Sequence, residues 1–593
     1  MAEPALDDAP ASEQIYFPAP GETQFTLRAV LGGCLLGCVV SAMNIYLGLR
    51  TGWSLGGSLI AAILGFSLFK VLPTKTPYSA LENNITQTAG SAAGSMTSAA
   101  GLLAAIPAMG MLGFEFKWWE LSVWALSVAY LGVFFAVPLR RQMVLVEKLR
   151  FPTGTATAET VKAMHSSGAE ALRKSKVLLG WALFAGLFTL AGHFLPALGH
   201  PPIDGLGVAF LATMSAWGFS LLLSPLMAGA GILIGPRVGA SLLLGAVVSW
   251  GILGPWAQAQ GYAPGKIMSY ADGARGWILW PGVAIMVADA LTQLALSWRT
   301  ILNTFKKRDP SAAGAVTEDA AERIPDAWWI GGLALSTVAT TIVAAVVFDI
   351  PWYLTLVAIA MSSVLSMIAV RSTGETDINP IGGMGKVTQL VYGAIAPGAM
   401  GTNLMAAAIT GAGASQAGDM MQDLKTGHLL GASPRHQFKA QLIGIAAGVL
   451  SCVPIYALFD AAYEIGGEEI PAPAAHAWKA MAELLAQGFE AMPPGATAAV
   501  GAGFAFGVIM AVARKLGPKA ITKWLPSGLA FGIAFIVPAY YAVAMFVGSM
   551  LLVIWERSRP VQAKDLAFAV ASGLVAGEGL MGIVTAILTL LGI

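Results

Sequence analysis

The chain has 593 residues, 56% of them hydrophobic and 11% charged, with a mean hydropathy of +0.70 and a formal net charge of +1. A soluble domain carries roughly 25% charged residues, so this composition excludes a soluble globular protein and gives no support to a nucleic-acid partner. Apolar blocks of about 20 residues recur throughout, each long enough to cross a ~30 Å hydrocarbon core, and predict an all-α polytopic membrane protein. The 69 glycines fit close helix packing and broken helices better than a β-barrel.

In chain order, residues 1–24 are acidic and rich in Pro and Ala, without the basic and apolar regions of a cleaved signal, and predict a disordered tail. Spans are predicted at 27–49, 53–72, 118–138, 176–198, 206–228, 237–256 and 277–298. Further spans are predicted at 327–348, 352–370, 440–459, 495–513, 539–555 and 566–591. Stretches 86–112 and 381–413 are apolar but irregular and can each hold a full helix plus a broken one. The span count therefore lies between thirteen and about sixteen. Residues 299–326 are the longest polar linker and divide the chain into halves 25–298 and 327–593. Arg299, Lys306, Lys307 and Arg308 follow a span directly, which places this linker in the cytoplasm by the positive-inside rule. The basic clusters 140–150, 162–176 and 514–523 point the same way, which simple span counting reconciles only with re-entrant segments. Residues 463–494 are a second polar insertion, expected outside or on the interface, with an amphipathic stretch at 478–489.

Four pairs of segments match in the same order: 82–101 with 378–398, 149–159 with 424–434, 226–236 with 529–538, and VADAL (287–291) with AGEGL (576–580). Together they predict a duplication, with substrate held between the repeats near the bilayer midplane.

The most polar part of the membrane region is 378–437, which is also broken by Gly and Pro. Polar groups at membrane depth are costly and usually line a path for substrate or ion. Gln416, Asp419, Gln422 and Asp423, with His428 beyond, read as a binding wall or gate; the competing reading is a solvated cytoplasmic helix. Asn379, Lys386 and Gln389 sit where Gly and Pro bare backbone groups at a helix break, where Lys386 can hold a carboxylate; otherwise this is a tight turn. Asn84, Thr86 and Gln87 are the corresponding first-half set, or simply helix-packing surface. Thr153, Thr155 and Thr157 can hydrogen-bond substrate, and Glu159 beside them can serve coupling or pair with Lys162. Asp289 and Glu578 are single acids in apolar helices, suited to loading a proton or to accepting a hydrogen bond from another helix. Glu578, Asp289, Glu159 and His428 are the proton-coupling candidates.

Cys34, Cys38 and Cys452 imply no disulfide framework, and Cys34 and Cys38 read as small packing residues. His165, His193, His200 and His476 make no zinc spacing, so neither a metal site nor a cofactor is expected. No Walker A sequence is present, which argues against ATP-driven pumping. An intramembrane peptidase would need facing acids or HExxH; Asp419 and Asp423 lie four apart on one segment, so an enzyme is the distant alternative.

NPIGGMGKVTQL (379–390) with AGDMMQDLKTGHLLGASPRHQ (417–437) closely resembles the oligopeptide transporter family, in the bacterial branch similar to yellow-stripe-like metal-chelate carriers. ENNITQTAGSAAGSM, FPTGTATAE and SGLVAGEGLMG resemble its other motifs, and the likeness runs from about residue 20 to the end. The resemblance implies a duplicated bundle of about sixteen transmembrane helices with broken or re-entrant segments. It also implies secondary active import of short peptides by proton symport, or alternatively of metal-chelate complexes. The expected partners are a small peptide or peptide-like substrate, protons and the lipid bilayer, with a homodimer admissible. The short loops suit a bacterial inner membrane.

Overall fold

The computed structural model describes residues 15–19, 21–72, 76–166, 168–202, 209–305, 323–522 and 524–593. Most of the expected N-terminal tail, Lys306, Lys307 and Arg308, and linker residues 306–322 lie outside the described residues.

The described residues are helical, and the helices of 15 or more residues are numbered in chain order. They are α1 Leu27–Thr51, α2 Gly57–Val71, α3 Ala80–Gly94, α4 Trp118–Arg140, α5 Pro152–Ser166, α6 Gly168–Phe194, α7 Pro225–Ala246 and α8 Ala274–Leu296. The rest are α9 Asp326–Val347, α10 Trp352–Thr376, α11 Ile381–Ile395, α12 Met400–Leu430, α13 Pro434–Ala462, α14 Pro473–Gln487, α15 Ala496–Leu516, α16 Ala539–Ser558 and α17 Pro560–Leu590. Among the described residues, 11 helices are long and apolar enough to cross a membrane, and shorter apolar helices fill in between them. The molecule is a polytopic helical bundle.

Sequence chemistry sets the helix ends. Thr26 caps α1 by accepting the Ala29 N–H, and Gly52 stops it in the left-handed region at φ +79°. Ser79 and Glu82 form a capping box on α3. Gly431, at φ +69°, ends α12.

Two expectations change. The expected span 206–228 is not a continuous helix: the described part has a helix at Ala209–Ala216, and Ser224 and Pro225 then start α7 afresh. The expected span 237–256 is the latter part of a 35-residue path, Pro225–Ala259, kinked where Gly235 takes φ +77° ahead of Pro236. Within the polar insertion 463–494, residues 473–487 form a helix with one face packed into the bundle, including Ala477, Trp478, Met481 and Ala482.

The core runs along α12. This helix has 31 residues, almost all buried, yet it is not one of the 11 apolar spans, because its buried residues include Gln416, Gln422, Asp423, Lys425 and Thr426. It packs on α3, α4, α5, α10, α11 and α13, which shield it from the bundle surface.

Candidate functional site

Glycine packing brings α3 close to its neighbours. A Cβ on Gly33 of α1 would lie 2.5 Å from the Thr86 carbonyl oxygen. On the other side, a Cβ on Gly444 or Gly448 of α13 would lie 2.4 or 2.5 Å from the carbonyl oxygens of Ala89 and Ala93. Only glycine allows this approach, and it clamps α3 between α1 and α13. All 15 residues of α3 are buried, including Asn83, Asn84, Thr86, Gln87, Thr88 and Ser91.

The polar side chains of α3, α12 and α13 meet in one buried cluster. Gln87 donates to Asp423 Oδ1 through a short hydrogen bond, and Ser58 of α2 donates to the same oxygen at 3.2 Å. Gln437 of α13 donates to the Asp423 backbone oxygen at 2.6 Å and approaches Thr88 Oγ1 at 3.3 Å and Asn84 Oδ1 at 3.5 Å. One turn along α12, Asp419 lies beside Ser95. Gln416 donates to Ser95 at 2.9 Å and receives Gln441 at 3.5 Å. Ser91 also stands beside the Asp423 carboxylate, yet among the described residues Asp423 Oδ2, Asn84 Nδ2, Gln87 Oε1, Gln437 Oε1, Gln441 Oε1 and both polar atoms of Asn83 are buried with no hydrogen-bond partner. Neither Asp419 nor Asp423 has a cation beside it among the described residues. Burying one such group without a hydrogen bond costs about 1–3 kcal/mol. A cluster of them marks a place completed by something other than the protein.

Further along α12 toward its N-terminus, a cavity of about 360 Å³ opens between Trp53, Ser98, Lys386, Ala412 and Trp478. Lys386 is buried; its Nζ lies 3.4 Å from Gln389 Oε1 and from the Ala477 carbonyl oxygen, and 5.5 Å from the Trp478 ring centre. Gln389 is fixed from the other side, donating to the Trp478 carbonyl at 3.1 Å. From Ala408 at this cavity to Asp423 the helix rises about 22 Å. Lys386 thus lines the inner cavity with Gln389 bonded behind it, and Asn84, Gln87, Gln416, Asp419 and Asp423 belong to the polar cluster.

The remaining expected residues are placed differently. Thr86 donates to the Ala29 carbonyl oxygen at 2.9 Å across the α1–α3 contact. Thr155 and Thr157 turn their hydroxyls to the backbone of Arg150 and Thr153. Thr153 and Gln422 both bond Asp377, at 2.8 and 2.7 Å, while Gln422 also receives the Gly154 N–H at 2.7 Å. These contacts fasten the start of α5 to α12. Asn379 donates to the Ala414 carbonyl at 2.8 Å. Glu159 is exposed and His428 half-buried.

Glu578 is buried and accepts from Ser224 Oγ at 2.8 Å and the Leu226 N–H at 2.8 Å, with Arg50 at 3.5 Å. It closes the N-terminus of α7, where a carboxylate complements the exposed N–H groups. Asp289 is ion-paired with Arg514 and receives Gln293 at 2.6 Å. Both acids are therefore paired inside the bundle. Sequence reading missed Gln437, Gln441, Asp377 and Trp478. The signal for the first two was present: amides four apart on an otherwise apolar helix face.

Residues 24–589 match the family described as OPT oligopeptide transporter protein. A Saccharomyces cerevisiae protein named "Putative oligopeptide transporter" is 28% identical over 95% of this chain and 96% of its own length. An Oryza sativa protein named "Probable metal-nicotianamine transporter" is 30% identical over 82% of this chain and 75% of its own length. An Arabidopsis thaliana protein named "Metal-nicotianamine transporter" is 28% identical over 97% of this chain and 94% of its own length.

Proposed function

The chain belongs to the oligopeptide transporter family, and from that premise we propose that it imports short oligopeptides by proton symport, with Asp423 as the group that exchanges a proton. The observation that carries this is the buried cluster on α3, α12 and α13, where among the described residues Asp423 has one oxygen without a hydrogen-bond partner and no cation beside it. A buried carboxylate in that state is completed by a proton or by an ammonium group. Lys386, in the cavity nearer the start of α12, suits the substrate carboxylate. The two sites lie too far apart for one extended tripeptide, about 11 Å long, to meet both at once, so the carboxylate site and the proton site are separate.

Asp289 and Glu578, each paired with an arginine, fit structural roles better than coupling roles. Their likeness supports two related halves, since each sits buried in the last long helix of its half. The 15-residue helices α3 and α11 likewise stand third in each half. The basic helix ends at Arg140, Arg299, Arg514 and Arg557 lie opposite the ends that carry Glu115, Asp460 and Glu464, and we place the basic side in the cytoplasm of a bacterial inner membrane.

Metal-chelate import is the second reading, favoured by a relative at 30% identity with that name. A chelator built from amino acids presents the same amines and carboxylates. Purified protein in proteoliposomes with an acidic exterior tests both. Labelled trialanine should accumulate inside, and dissipating the gradient should stop it. Accumulation of a metal-loaded chelator, with no trialanine uptake, would establish the second reading instead.

A further inference from the structure

A second cavity, of about 700 Å³, lies at the end of the molecule opposite the basic helix ends. Glu115 and Trp118 stand at the start of α4, Tyr456 and Asp460 at the end of α13, Glu464 just beyond, and His476 on α14; all line it. Its only lining cation among the described residues, Lys479, lies 3.6 Å from Glu483. Glu115, Asp460 and Glu464 make no ion pair among the described residues. Tyr456 is 5% exposed, faces this cavity one helical turn from Asp460, and its hydroxyl has no hydrogen-bond partner among the described residues. The hydroxyl opens on the cavity, where it can hydrogen-bond a ligand atom that enters. Phe114 and Phe116 add aromatic surface.

This lining selects a cation, and its spread decides which kind. Among the described residues no three His, Cys, Asp or Glu side chains come close enough to hold one metal ion. The carboxylates therefore suit an extended organic cation, whose ammonium group is attracted both by acids and by aromatic faces. Only one helix separates this cavity from the inner one. His476 and Lys479 of α14 line the acidic cavity, while Ala477 and Trp478 of the same helix line the cavity of Lys386.

We infer that this acidic cavity is a capture site for the ammonium end of an amino-acid-derived ligand, occupied before the ligand passes α14 to reach Lys386. The order of passage rests on the transport reading above; the binding itself does not. The two cavities are complementary in charge, the outer one taking the positive end and the inner one the negative end of one molecule.

Calorimetric titration of the purified full chain with trialanine amide, a cation, and with N-acetyl-trialanine, an anion, tests the binding. The amide should bind through the acidic cavity, whereas the anion, whose carboxylate suits Lys386, should bind wild type and the variants below alike. The double variant Asp460→Asn/Glu464→Gln should weaken the amide about tenfold, and Tyr456→Phe about threefold. Both sites face open space, and each variant's elution as a single species checks its fold; Glu115→Gln serves alone if the double variant fails that check. Equal affinity of wild type and variants for the amide, or no binding at all, overturns the inference. Uptake separates this failure from failure of the transport reading. Trialanine accumulation with an unchanged KM in the variants removes the capture site and leaves transport. Amide binding lost in the variants, with no accumulation by wild type, removes transport and leaves the site.

Discussion

Asp289 and Glu578 each face an arginine, whereas Asp423 faces amides and hydroxyls. This difference predicts opposite outcomes for conservative substitutions. Glu578→Gln leaves Arg50 without its carboxylate and weakens the closure of α7, so it should lower stability by about 1–3 kcal/mol while pH-driven uptake persists. Thermal unfolding in detergent, paired with uptake, checks both halves of that statement. Lys386→Ala removes the buried cation proposed to meet the substrate carboxylate and should raise the KM for a peptide about ten- to a hundredfold. A peptide amide, which lacks the carboxylate, should be affected much less. The residue types at these sites were readable because polar groups stand out against an apolar chain. Their pairing was not: nothing local in VADAL or AGEGL announces an arginine 225 or 528 residues away.

At the scale of elements, the decisive contact is α3 between two glycine-lined helices. Gly444→Leu would push a side chain into the Ala89 carbonyl and move α3 off α13. Overpacking of this kind costs about 1–3 kcal/mol, and here it also displaces Asn84 and Gln87 from Gln437 and Asp423. The expected result is a lower melting temperature together with lost uptake; a variant that folds less stably but transports normally would detach this packing from function. The long apolar helices were legible because hydropathy over about 20 residues is a strong signal. The breaks were less so. Residues 206–228 average as apolar, and the restart at Ser224 and Pro225 shows only as a capping signature within that window. α14 carried polar groups on one face, which reads as solvent exposure; in the structure that face borders the acidic cavity.

At the scale of the whole molecule, two long helices carry a basic group at one end and an acidic group at the other. α4 begins beside Glu115 and ends at Arg140, and α13 begins near Arg435 and ends at Asp460. From these ends the positive-inside rule predicts one orientation. In a chain whose cysteines are replaced by serine, Glu464→Cys should react with an impermeant thiol reagent in intact cells, and Arg557→Cys only after permeabilisation; the reverse pattern would invert the molecule.

The central claim is that a proton on Asp423 couples the gradient to substrate movement. Its most direct test compares wild type with Asp423→Asn in the same proteoliposomes, measuring accumulation under an imposed pH gradient and counterflow exchange without one. Asp423→Asn keeps an oxygen that can accept from Gln87 but cannot carry the proton. The account predicts that accumulation falls to equilibration while counterflow continues. If Asp423→Asn still concentrates substrate against its gradient, the coupling proton is carried elsewhere and the account is wrong.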